Sequence, residues 1–194
     1  MAQDSSKAEF WESRYRDNVT PWDAGKVPAS LRAYASNLPP HVRILIPGCG
    51  SAYEAAYLAK TGFDVLAIDF SAAAIAAAQK TLAGFDGIVR LADFFEFDFG
   101  EPFDVIYERA FLCALPRKMW DRYAERSAGM LKPDGVIAGF FFFADSPKGP
   151  PFGTSTTELE TLLGRHFTLT DEQPVSDSIE VFAGKERWMV WRRR

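Results

Sequence analysis

The chain has 194 residues, 47% hydrophobic and 25% charged, with a net charge of −4. That length suits one domain with a filled core, and the acidic balance argues against nucleic acid as the main partner. Two cysteines make no disulfide framework, and no apolar run is long enough for a signal peptide or a membrane span. The expectation is a soluble, cytoplasmic protein.

Residues 1–27 do not read as part of a sheet. Trp11 and Tyr15 lie four apart, on one face if the segment is helical, and a turn-rich loop follows that carries Trp22. Such an arm could simply be stapled to the core. Lying over a ligand, it would exclude water and offer flat faces to a cation. Pro28 to Asn37 reads as a helix with proline in its first turn.

Val42 to Ile46 reads as a short buried strand bounded by Pro39-Pro40 and Pro47-Gly48. A glycine turn through Gly48 and Gly50 leads into a helix over Ser51 to Lys60. The next strand, Asp64 to Ile68, ends in Asp69, twenty-one residues beyond Gly48. Strand, glycine turn, helix, strand and acid in that order predict a nucleoside site, with Asp69 on the ribose hydroxyls. A dinucleotide fingerprint needs a third glycine where this chain has Tyr53. The loop therefore suits a ligand without a pyrophosphate, such as S-adenosylmethionine.

Ser71 is a plausible N-cap for an alanine-rich helix over Ala72 to Ala83, stopped by Gly84 to Gly87. Ile88 to Leu91 reads as the third strand. Asp93 and Phe94 beyond it could accept from an adenine amino group and cover the ring, or could merely start a turn. Phe103 to Tyr107 is the fourth strand, and ligands in such sheets bind beyond the strands' carboxyl ends, so Glu108 and Arg109 are expected to face the reaction space. A helix over Pro116 to Leu131 and a turn at Lys132 to Gly135 precede a central fifth strand, Val136 to Phe143. After a proline-rich loop reaching Phe152 come a helix over Ser155 to Arg165 and two strands, Phe167 to Thr170 and Arg187 to Trp191. The fold class is α/β, a doubly wound, Rossmann-like, seven-stranded and mostly parallel sheet. The chain is expected to be a single domain, 1–194, with 1–27 as a lid.

The chain resembles the class I S-adenosylmethionine-dependent methyltransferases, and within them the thiopurine S-methyltransferase superfamily with its halide and thiol enzymes. The resemblance rests on Trp11-x-x-x-Tyr15, Thr20-Pro21-Trp22-Asp23-x-Gly25, Pro47-Gly48-Cys49-Gly50, Asp69, Asp93-Phe94, Phe111-x-Cys113-Ala114, Leu131 to Gly135 and Gly149-Pro150-Pro151. It implies that Trp11, Tyr15, Trp22, Gly48, Gly50, Asp69, Phe70, Asp93, Phe94 and Arg109 contact S-adenosyl-L-methionine, whose product is S-adenosyl-L-homocysteine. Tyr15 stands where the family often has Trp. Arg109 stands where halide and thiol enzymes tend to have Tyr and thiopurine enzymes have Arg.

Methyl transfer is an in-line displacement that needs positioning and the exclusion of water, with neither a covalent intermediate nor a metal. His41 and His166 are isolated, so no metal site is expected. Arg109 and Tyr15 are the catalytic candidates. A cation near a thiol favours its ionisation, and a carboxylate acceptor could be gripped in bidentate fashion. Arg109 could instead brace the site through Glu108 or Asp145. Phe111, Phe141 and Phe152 are candidates for the acceptor pocket. The expected acceptor is a small soft nucleophile (thiol, hydrosulfide, thiopurine or halide), turned over by a monomer acting on neither nucleic acid nor membrane. The alternatives are a nicotinamide oxidoreductase sharing the first βαβ unit and a catalytically silent cofactor-binding module.

Overall fold

Apolar strands separated by helix signals produce two units in the computed structural model, 1–97 and 98–194, over the described residues 4–82, 84–85, 87–146 and 148–194. In the first unit, β1 (Arg43–Pro47), β2 (Asp64–Asp69) and β3 (Val89–Leu91) are parallel, in the order β3-β2-β1. The last four residues of β1 are all buried, as expected of an uninterrupted apolar run in a parallel sheet covered on both faces. α1 (Ala8–Arg16), α2 (Ala29–Ala35), α3 (Tyr53–Lys60) and α4 (Ala72–Thr81) complete this unit. Pro28 caps α2 in an extended conformation, and Ser71 caps α4 by accepting the Ala74 N–H at 3.2 Å. The expected α4 terminus at Ala83 lies outside the described residues, as do residues 1–3 of the arm and Pro147. α3 starts two residues later than the pattern suggested, because Ala52 takes a left-handed conformation (φ 58°) that extends the glycine turn.

In the second unit, β4 (Phe103–Arg109), β5 (Leu131–Phe142), β6 (Phe167–Pro174) and β7 (Glu186–Arg193) take the order β4-β5-β7-β6. β4 and β5 are parallel, and β7 is antiparallel to both of its neighbours. The seven strands make the doubly wound, mostly parallel α/β class expected. The turn expected at Lys132 to Gly135 does not leave the sheet. β5 begins at Leu131, opposite Phe103, and a register irregularity absorbs Asp134, whose φ is 62°. The long helix expected from Pro116 is a short 3-10 turn, Arg117–Met119, followed by α5 (Trp120–Met130). α6 (Thr156–Leu163) opens on a capping box in which Ser155 and Glu158 satisfy each other's backbone N–H groups. Phe140, Phe141 and Phe142 of β5 are buried with Trp188 and Trp191 of β7, which explains why the central strand is apolar on both faces.

Candidate functional site

The turn after β1 puts bare backbone beside an acid. Gly48 and Gly50 both have positive φ, 60° and 51°, a conformation side chains resist. The Gly50 N–H donates to Asp69 Oδ2 at 3.1 Å, and the Ser71 N–H donates to Oδ1 at 2.9 Å. Burial pushes the Asp69 carboxyl up to about 6, and the backbone N–H groups of Ser71, Gly50 and Phe70 pull against that rise. An ionised carboxylate accepts at about four positions, so sites remain on both oxygens. A vicinal diol, such as that of a ribose, fits this carboxylate, which satisfies the chemical requirement for the expected nucleoside.

The arm packs over the same turn. Trp11 and Trp22 meet edge to face with centroids 5.3 Å apart, and Tyr15 meets Trp22 at 6.1 Å. The Trp22 indole N–H donates to the Tyr15 hydroxyl at 3.5 Å. A Cβ added to Gly50 would sit 2.5 Å from that hydroxyl, so glycine is what lets Tyr15 lie against the turn. Burial, and then the Asp69 charge, raise the Tyr15 phenol far above its ordinary value. Tyr15 therefore stays protonated and can donate a hydrogen bond, but it is no base.

Two carboxylates fasten the arm: Glu12, which sequence reasoning did not single out, and Asp23 of the Thr20 to Gly25 motif, to which it gave no role. Glu12 Oε2 accepts from the Ser71 hydroxyl at 2.9 Å and from the Ala73 N–H at 2.8 Å, across the start of α4. The Ala73 N–H is the main reason that the Glu12 carboxyl lies below its usual range. The Ser51 hydroxyl donates to Asp23 Oδ2, tying the Trp22 loop to the glycine turn. Nothing in the sequence marks Glu12 or names the partner of Asp23, since the groups they meet are remote in sequence. Asp93 does start a turn: Oδ1 accepts the Phe95 N–H at 2.8 Å, and its carbonyl accepts those of Glu96 and Phe97. Phe94 is buried, and Phe70 is half-buried beside Asp69.

In the second unit, Glu108 does not face open space, contrary to expectation. It is 1% exposed; Oε1 accepts the Phe111 and Leu112 N–H groups at 2.8 and 3.0 Å, and Oε2 accepts the Tyr123 hydroxyl at 2.8 Å. Burial holds its carboxyl at about 6. These bonds shape the sharp turn at Ala110, where φ is 56°. Arg109 pairs with neither Glu108 nor Asp145. Its Nη1 lies 3.1 Å from Glu186 Oε1, and its guanidinium lies over the Phe140 ring, 4.2 Å from the centroid. The reading of the last strand began one residue too late to include Glu186.

Phe111 and Phe152 are half-buried, with the Phe152 N–H donating to the Cys113 carbonyl at 2.7 Å. Phe141 is 2% exposed, sealed in the core of β5, and presents no surface to a ligand. Cys49 and Cys113 are free and buried, and burial raises both thiols. Neither is an activated nucleophile. Among the described residues no group of acidic, histidine or cysteine side chains could hold a metal ion, and no helix is long and apolar enough to cross a membrane.

The glycine turn, the buried Asp69 beside it, the strand order and the family match together define an S-adenosylmethionine-dependent methyltransferase of class I. More narrowly, the chain belongs to the thiopurine S-methyltransferase family, whose sequence model matches residues 6–194. Thiocyanate methyltransferase 1 of Brassica oleracea is 30% identical over 193 residues, covering 94% of this chain and 84% of its own. Thiopurine S-methyltransferase of Bordetella petrii is 30% identical over 181 residues, covering 82% of each. In fold, the chain is similar to the Burkholderia thailandensis 1,6-didemethyltoxoflavin-N1-methyltransferase, solved with bound 1,6-didemethyltoxoflavin and S-adenosylhomocysteine. The TM-score is 0.74 at 23% identity, over 96% of this chain and 86% of that one. Membership of this family sets aside the oxidoreductase reading.

Proposed function

We propose that this enzyme methylates a small sulfur nucleophile, a thiol, thiopurine-like thione or hydrosulfide, with thiocyanate and halide as the anionic alternatives. S-Adenosylmethionine, when bound, supplies a sulfonium methyl whose positive charge disappears as the methyl leaves. Asp69 would hold the ribose, Gly48 and Gly50 would let the backbone approach, and the Trp11, Tyr15 and Trp22 faces would shield the cation from water. Asp93 would take the adenine amino group on Oδ2, beside Phe94. Arg109 would direct guanidinium N–H groups at the acceptor, with Phe111 and Phe152 as apolar walls.

The observation that carries the acceptor side is Arg109 itself: a guanidinium at the end of β4 with 13% of its side chain exposed and, among the described residues, one carboxylate partner. The names of the plant and bacterial relatives point to the same sulfur chemistry. An acceptor panel with methyl-labelled cofactor tests it, across thiols, thiopurines, hydrosulfide, thiocyanate, iodide and bromide. Label transfer to at least one sulfur acceptor is expected; cofactor binding without transfer to any would leave only a silent binding module. The acidic balance and the two free cysteines support a monomeric cytoplasmic enzyme that does not act on nucleic acid. Light scattering behind a sizing column checks the monomer, and a dimer mass would reject it.

A further inference from the structure

We infer that Glu186 is the positioning residue that sets charge selectivity for the acceptor, favouring uncharged sulfur acceptors over free anions such as thiocyanate and iodide. This rests on Arg109 facing the acceptor, as proposed above.

The geometry is that of a matched but half-used cation. Glu186 meets Arg109 through one oxygen and one nitrogen at 3.1 Å, and the side chains are 3% and 13% exposed. The other carboxylate oxygen accepts the Ser178 hydroxyl at 2.6 Å, which fixes the carboxylate's orientation. Phe140 covers one face of the guanidinium, and among the described residues only Nη1 is seen hydrogen-bonded, which leaves further N–H groups for a ligand. Asp177 adds further negative charge around Glu186, and the buried Cys113 thiol feels both members of the pair.

Charge flow decides which acceptor this suits. An anion drawn to Arg109 is also repelled by Glu186. A carboxylate roughly twice as far away as the guanidinium cancels about half of the attraction, because the energy falls inversely with distance. With an uncharged thiol or thione, the new S–CH3 bond forms as the sulfonium C–S bond breaks, and that electron pair stays on the donor sulfur. Positive charge moves onto the acceptor until its S–H or N–H proton leaves for water. A lone guanidinium opposes that movement; one already matched by a carboxylate does not. Glu186 therefore reverses the simple expectation that Arg109 recruits a thiolate.

The test compares wild type, Glu186→Gln, Ser178→Ala and Arg109→Met with thiocyanate, iodide and the neutral 1-methylimidazole-2-thione. Glutamine keeps the shape and an acceptor oxygen for Arg109, and its NH2 can donate to the Ser178 hydroxyl, but it removes the charge. In Glu186→Gln the anion-to-thione ratio of kcat/KM is expected to rise about tenfold or more, by a higher value for the anions and a lower one for the thione. Ser178→Ala, which keeps both charges, leaves the ratio within about threefold of wild type. An unchanged ratio in Glu186→Gln, with turnover still depressed in Arg109→Met, overturns the inference and leaves the proposed function standing. Turnover untouched in Arg109→Met overturns the reading of Arg109 on which the inference rests. Should Glu186→Gln fail to fold, wild type decides: KM for both anions about tenfold or more above that for the thione supports the inference, and parity overturns it.

Discussion

Asp69 is the proposed ribose ligand, and its burial gives that role a pH signature. Ribose hydroxyls donate to the ionised carboxylate, whereas the protonated acid loses acceptor capacity. With Asp69 titrating at about 6, cofactor affinity is expected to fall as pH drops through 6 and to be flat above 7. Calorimetry from pH 5 to 7.5 checks this, and affinity independent of pH would reject it. Asp69→Ala should weaken the cofactor by about 1.5–3 kcal/mol, the loss typical of hydrogen bonds to a charged group; equal affinity would remove Asp69 from the ribose. Arg109→Met should leave cofactor affinity nearly unchanged while lowering turnover with thiols. Asp69 was legible because the distance from glycine turn to strand-end acid is set by one βαβ unit. The Arg109 partner was not, because Glu186 reaches it across 77 residues of chain.

At the scale of elements, strands and helices were legible wherever a local signal was strong: the Ser71 and Ser155 caps, and the apolar run of β5. The boundary of β5 was not, because the residues Lys132 to Gly135 read as a turn while sheet pairing kept them in register. Phe141 misled for a related reason, since an apolar side chain at a strand's mouth looks the same in sequence whether it lines a pocket or fills a core. β4 and β5 approach so closely that Gly139 is required. A Cβ there would collide with the Glu108 backbone, and Gly139→Ala is expected to destabilise the fold by about 1–3 kcal/mol. Thermal melting measures this, and an unchanged midpoint would show that the strands can part. The arm is held differently, by side chains at the start of α4. Glu12→Ala should leave melting almost unchanged yet speed proteolysis within residues 4–27. Equal cleavage rates in the two proteins would mean that aromatic packing alone holds α1.

Over the molecule as a whole, each unit contains a buried acid raised above its unfolded value, Asp69 from 3.8 and Glu108 from 4.5, both to about 6. Between these limits the folded chain holds protons that the unfolded chain has lost. This contribution to stability is present at pH 4 and disappears as pH rises through 6, at a cost on the order of 2 kcal/mol for each group. The ligand-free enzyme is therefore expected to resist denaturant better at pH 5 than at pH 7.5. Glu108→Gln, which keeps acceptors for the Phe111 and Leu112 N–H groups, should flatten that slope. An equal slope in the variant would place the linkage elsewhere. The acidity of these interior groups could not be read from composition, which reports the net charge and not its location.

Ser71 gives its backbone amide to Asp69 and its side-chain hydroxyl to Glu12, so a single residue joins Asp69 to the helix that carries Trp11. Occupancy of the acid should thus be visible as light: the two indoles of the arm make a built-in optical gauge. Titrating the cofactor into the enzyme would shift their emission, giving a label-free readout of binding in which no acceptor need be known.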